Sequence, residues 1–128
     1  LLTILNMMST KILVVDDEKA VSDLLAYNLR KAQYEVFVAA NGVEALAQIE
    51  RAKPDLILLD IILPRMNGYE ILSVIKRNPE FKDIPVIMLT SKDGVINKMK
   101  GKLAGSAAYL TKPFDPGKLI STVEKYLV

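Results

Sequence analysis

Hydrophobic positions along the chain fall into two alternating kinds of run. The first is short and continuous, as in Lys11–Val15, Leu56–Leu59 and Pro85–Leu89. Runs of this length, closed by turn residues, predict strands buried on both faces of a parallel sheet. Glu35–Ala39 alternates enough to be a strand near an edge, and Ala107–Thr111 is a fifth strand. The second kind repeats at helical spacing. Val21, Leu24, Leu25 and Leu29 form one inward face; Val43, Leu46 and Ala47 a second; Ile71, Leu72 and Ile75 a third; Leu119, Ile120, Val123 and Leu127 a last. A more weakly patterned helix is expected over 92–104.

Polar residues punctuate these runs where caps belong. Asp17 or a neighbour can cap the first helix, and Asn41 with Glu44 three residues on reads as a capping box. Gly68 opens the third helix, which ends near Asn78-Pro79. Asp115-Pro116 opens the last, with proline at its first position. Five strands and five helices in strict alternation, joined by short links, demand parallel strands with right-handed crossovers. The predicted fold is therefore a doubly wound α/β domain.

Composition narrows what such a domain can do. The 128 residues suffice for one domain with a substantial core, 51% of them apolar and 25% charged. No apolar run reaches the roughly 18 residues that span a bilayer, so no membrane contact is expected. The chain has no Cys, which excludes disulfides and thiolate sites and fits a cytoplasmic location. It has no His either, so it cannot carry a phosphohistidine. A net charge of +2, without a basic stripe, gives no ground for direct nucleic-acid binding. Residues 1–10 fit poorly with the rest. They are expected to be a tail or start-site extension, with the domain over 11–128.

The polar residues at the strand ends carry the chemistry. The first strand exits on Asp16-Asp17-Glu18, the third on Asp60, the fourth on Thr90 and the fifth on Lys112. In open parallel sheets, ligands bind outside these carboxyl ends. Each residue alone is commoner as a helix cap, strand terminus or solvated charge; their joint placement on one edge is hard to obtain by accident. Crowded carboxylates repel unless a cation is present, and an all-oxygen set suits Mg²⁺ before Ca²⁺. A hydroxyl and an ammonium opposite such an ion match the remaining oxygens of a phosphoryl group. Phosphoryl transfer onto or off a carboxylate follows, with Asp60 the candidate nucleophile.

VVDDE at 14–18, LLDIILPRMNG at 58–68, LTS at 89–91 and YLTKPF at 109–114 resemble the receiver domain of two-component response regulators, including CheY-like single-domain members. The likeness covers 11–127, with the motifs in order. It implies a flavodoxin-like three-layer sandwich, (βα)5, of strand order 2-1-3-4-5. By this resemblance Asp60 is the phosphoacceptor, Asp17 a direct Mg²⁺ ligand with Asp16 assisting, and the Ile62 backbone carbonyl completes the metal shell. Lys112 pairs with Asp60 or its phosphoryl group, and Thr90 hydrogen-bonds that group. The Lys112-Pro113 bond is usually cis in the family. Tyr109 is the aromatic switch residue coupled to Thr90, and the responding surface is the fourth helix, fifth strand and fifth helix. The phosphoryl donor is a histidine kinase or phosphotransfer protein acting in trans, and such a domain catalyses only its own phosphorylation and dephosphorylation.

Two positions depart from the commonest pattern. Ile62 and Lys92, each second after a site residue, offer nothing to orient an attacking water, so slow self-dephosphorylation is expected. Ala107-Ala108 replace an acidic residue often found before the tyrosine. Two outputs compete. Residues 91–106 resemble stand-alone receivers of pilus-motility and phototaxis systems, whereas the front half resembles receivers that carry a winged-helix DNA-binding domain. With no linker or second domain after the last helix, output by contact with a downstream protein is expected, with a homodimer through the fourth helix–fifth strand–fifth helix face as an option. A flavodoxin is disfavoured because acid occupies its phosphate loop, and an aspartate-based phosphatase because Ile62 stands where its second Asp belongs. A purely structural scaffold is the remaining alternative, and Mg²⁺ binding would count against it.

Overall fold

The computed structural model describes residues 10–91 and 105–127. In chain order the elements are β1 (Lys11–Val15), α1 (Lys19–Lys31), β2 (Glu35–Ala39), α2 (Gly42–Ala52), β3 (Leu56–Asp60), α3 (Gly68–Arg77), β4 (Val86–Thr90), β5 (Ala108–Thr111) and α4 (Pro116–Tyr126). The helix expected over 92–104 lies outside the described residues, as does the stretch 1–9. The five strands form one parallel sheet in the order β2-β1-β3-β4-β5, as the resemblance implies. Among the described residues, no helix is long and apolar enough to cross a membrane.

Side chains alternate between the two sheet faces, and this divides the core cleanly. Leu13, Val15, Ile57, Leu59, Val86 and Met88 point to the face covered by α2 and α3. Ile12, Val14, Leu56, Leu58, Ile87 and Leu89 point to the face covered by α1 and α4. All ten residues of β3 and β4 are buried, which explains why those strands read as apolar runs rather than alternating ones. β2 is a strand at the sheet edge as expected, but its burial does not alternate strictly: Val36 and Ala39 are buried while Val38 is exposed.

Helix phase is where the hydrophobic pattern misled. On α1 the buried positions are Ser22, Leu25, Ala26 and Leu29, while Leu24 is 51% exposed. On α2 they are Gly42, Ala45, Ile49 and Ala52; Val43 and Ala47 face outward. The reason is close approach. A Cβ on Gly42 would lie 3.2 Å from both Ile71 and Met66, so small residues occupy the inward stripe of α2 and the larger Val43 is turned away. The α3 face of Ile71, Leu72 and Ile75 is as expected. Leu119 and Val123 are buried on α4, with Ile120 and Leu127 partly so.

Capping also differs in detail. Glu18, not Asp17, is the N-cap of α1 and makes no side-chain cap bond. Its N–H instead donates to Asp16 Oδ1 at 2.9 Å. Asn41 caps α2 through the Glu44 N–H, but the Glu44 carboxylate reaches back to the Ala40 N–H, so the box is displaced by one residue. The complete capping box is on α3, between Asn67 and Glu70. Asp115 accepts from the Gly117 N–H ahead of α4.

Candidate functional site

Strand register brings the candidate residues together. Val15 pairs with Leu59, so Asp16 and Asp60 leave the sheet side by side. Asp60 pairs with Leu89 and Thr90 with Thr111, which delivers Lys112 to the same edge. The Lys112 N–H donates to the Thr90 carbonyl at 2.7 Å, extending the ladder by one bond. Continuing the alternation of each strand puts Asp16, Asp60 and Lys112 on the α1/α4 side, and Thr90 and Tyr109 on the α2/α3 side. The Lys112–Pro113 peptide is cis.

Gly68 lets α3 begin against this edge. A Cβ there would fall 2.3 Å from the Asp60 carbonyl oxygen and 2.8 Å from Ile61 Cα. Its N–H donates to the Ile61 carbonyl at 2.7 Å, closing the loop that follows β3. The position requires glycine through close approach, since a side chain there would displace the end of the strand that carries Asp60.

Lys112 Nζ sits among three carboxylates. It donates to Asp60 Oδ2 at 3.3 Å and lies 3.0 Å from Asp16 Oδ2 and 3.5 Å from Glu18 Oε1. The Asp16 and Asp60 side chains are buried, while that of Glu18 is exposed. Asp60 Oδ1 accepts from the Ile62 N–H at 3.3 Å. Asp16 Oδ1 is satisfied by Glu18, but its buried Oδ2 accepts no aligned hydrogen bond and has only the ion pair. Burial, and then the charge of Asp16, push the Asp60 carboxyl up to about 6, against the opposing pull of Lys112 and the Ile62 N–H. Burial alone would lower the Lys112 ammonium, but the Asp16 and Asp60 carboxylates outweigh it and hold the group above its ordinary value.

Asp16, Asp17 and Asp60 each offer one carboxylate oxygen within 4.8 Å of the others. An all-oxygen set of this kind, whose buried Asp16 Oδ2 is met only by the Lys112 ion pair, fits a hard divalent cation. Beside it opens a cleft of about 260 Å³ lined by Asp17, Glu18, Asp60, Ile62, Thr90 and Lys112, among others. The Ile62 side chain stands 71% exposed at its mouth. Thr90 is buried, and its hydroxyl donates to the Ser91 carbonyl at 3.3 Å. Tyr109 does not line the cleft. It pairs with Met88 and packs, half-buried, on the α2/α3 face. Lys92 lies outside the described residues.

Sequence reasoning passed over Glu18 as part of an acidic run. Its place directly after Asp16-Asp17 was the available signal, but only the fold shows that it reaches Lys112.

A family profile described as the response regulator receiver domain matches residues 12–124. The chain belongs to that family. It is 41% identical to Protein PilG of Pseudomonas aeruginosa over 91% of this chain and 87% of the relative. It is 42% identical to the alkaline phosphatase synthesis transcriptional regulatory protein PhoP of Bacillus subtilis, over 94% of this chain but 49% of that protein. Among solved structures, the chemotaxis response regulator CheY4 of Vibrio cholerae superposes with a TM-score of 0.86 at 36% identity, covering 92% of this chain and 98% of that one. The receiver domain of NtrX from Brucella abortus gives 0.86 at 33% identity, covering 91% and 97%. Receivers are phosphoacceptor signalling domains of two-component systems rather than classical enzymes. They bind Mg²⁺ through an acidic pocket and interact with histidine kinases and downstream targets.

Proposed function

We propose that residues 11–128 form a receiver whose phosphoacceptor is Asp60, charged in trans by a histidine kinase or phosphotransfer protein. The carrying observation is Lys112 Nζ poised between Asp60 and Asp16 on the floor of a cleft that Thr90 also lines. With its carboxyl near 6, Asp60 is ionised at neutral pH and can act as the nucleophile. Its oxygen bonds to phosphorus while the bond to the donor's leaving atom breaks, giving an acyl phosphate. Asp16, Asp17, Asp60 and the Ile62 backbone carbonyl would hold Mg²⁺, which when bound neutralises charge on the phosphoryl oxygens. Lys112 pairs with one of those oxygens, and the Thr90 hydroxyl turns from the Ser91 carbonyl to another.

The signal passes along one sheet face. Thr90 and Tyr109 lie on adjacent strands, diagonally related through the Met88–Tyr109 and Thr90–Thr111 pairs. Movement of Thr90 is felt at Tyr109 and at the surface that β5 and α4 contribute to, where a downstream protein or a second copy docks. The chain works in the cytoplasm, catalyses only its own phosphorylation and dephosphorylation, and loses its phosphoryl group slowly because Ile62 cannot orient water. A second reading, a receiver serving a DNA-binding output domain, rests on the 42% identity to a transcriptional regulator twice its length.

Incubation with Mg²⁺ and acetyl phosphate, read by intact mass, tests the proposal. A single phosphate adduct that needs Mg²⁺ and is absent in Asp60→Asn is expected. No adduct under any condition would demote the site and favour a phosphorylation-independent binding module.

A further inference from the structure

The structure assigns Glu18 a part in this site: it is a positioning residue that receives the Lys112 ammonium when a divalent cation occupies the three aspartates. The inference rests on the proposed reading of the acidic trio and goes beyond it. Lys112 occupies ground that a cation needs. Its Nζ lies 3.0 Å from Asp16 Oδ2 and 3.3 Å from Asp60 Oδ2, and both aspartates belong to the trio. An ammonium and a dication drawn to the same two carboxylates repel strongly in a buried setting, so Lys112 must shift when the cation arrives.

Glu18 is the carboxylate placed to take it. Its Oε1 is already 3.5 Å from Nζ, it lines the cleft, and it stands outside the trio. The Glu18 backbone is held on both sides, by donation to Asp16 Oδ1 and by its carbonyl accepting from the Val21 and Ser22 N–H groups. Its side chain makes no cap bond and is exposed, so it can follow the ammonium toward the rim. A fixed backbone with an exposed carboxylate already facing the ammonium suits a receiving group. Held there, Lys112 remains in the cleft that Asp60 lines, where an incoming phosphoryl oxygen would meet it.

A double-mutant cycle on Mg²⁺ affinity, with the metal alone as probe and calorimetry as readout, decides the matter. Wild type is compared with Glu18→Gln, Lys112→Met and the double variant. Glu18→Gln is expected to weaken Mg²⁺ about fivefold when Lys112 is present and less than about twofold when it is absent. Equal weakening in both backgrounds would show that Glu18 acts through its own field and would overturn the inference, as would no weakening at all. Failure of wild type itself to bind Mg²⁺ is a separate result, and it would remove the proposed cation site together with this role. Should Lys112→Met not fold, proton NMR of the wild type answers the same question. Contacts between the Lys112 ε-methylene and the Glu18 γ-methylene should strengthen on Mg²⁺ addition; unchanged or weakened contacts would refute the role.

Discussion

The two faces of the sheet meet the candidate site on opposite terms. On the α1/α4 side, Asp16, Asp60 and Lys112 bring charge into a nearly buried setting, and the Asp60 carboxyl is driven up to about 6 by burial and by Asp16. On the α2/α3 side, Tyr109 packs among apolar neighbours, Thr90 lies diagonally from it at the end of β4, and Gly68 locks α3 against the end of β3. One side holds electrostatic strain that a cation or phosphoryl group can relieve. The other is close-packed, with little room to absorb a shift.

The sharpest way to break this division is Gly68→Ala. The added methyl meets backbone at 2.3 Å, which no side-chain rotation can relieve, so a loss of about 3 kcal/mol in urea unfolding is expected. A loss under about 0.5 kcal/mol would mean that the α3 contact yields easily and is not a rigid wall.

Asp60→Asn should act in the opposite direction on the metal-free protein. A carboxyl raised from 3.8 to about 6 binds its proton more tightly when folded, so its contribution to stability falls as pH rises through that interval. The amide variant lacks this loss. Its advantage over wild type should be near zero at about pH 4 and reach about 2 kcal/mol above about pH 6, part of the linkage being offset by the lost Lys112 contact. Thermal unfolding of both proteins across that range checks it. A constant difference at every pH would contradict the strained-carboxylate account, and saturating Mg²⁺ should shrink the gap.

Ile62 sharpens the comparison at the mouth of the cleft. Giving that exposed position a carboxamide, Ile62→Gln, should shorten the lifetime of the phosphorylated form several-fold, about 0.5–1 kcal/mol in the barrier, without affecting folding. Following the mass of the adduct over time checks this, and a wild-type lifetime of only seconds would already defeat it. The smallest effect is expected on the other face. Thr90→Val keeps shape and removes the hydroxyl, so Mg²⁺ affinity should stay within about twofold. Yet the Tyr109 signal of fluorotyrosine-labelled protein should no longer respond to phosphorylation. A retained response would mean that Tyr109 is moved by something other than the Thr90 hydroxyl.

Much of this was legible in the chain before any fold was seen. The continuous runs of β1, β3 and β4 marked doubly covered strands, and Asp16, Asp60 and Thr90 fell at their ends, with Lys112 just past β5, because strand termini are easy to place when the apolar run stops abruptly. Helix phase was less legible. In GVEALAQIERA several small residues compete for the inward stripe, and only the clearance against Ile71 and Met66 selects Gly42 and Ala45 over Val43 and Ala47.

What the sequence by itself determined, then, is the alternation, the covered sheet and the residues delivered to one edge. Those follow from local periodicity and from where polar residues interrupt it. Tertiary structure alone decided that Lys112 reaches Asp16 and Glu18 as well as Asp60, that Tyr109 and Thr90 share a face, and that Gly68 has no room for a methyl. Those depend on distances of a few ångströms between residues far apart in the chain, which register and close approach set only once the sheet has formed.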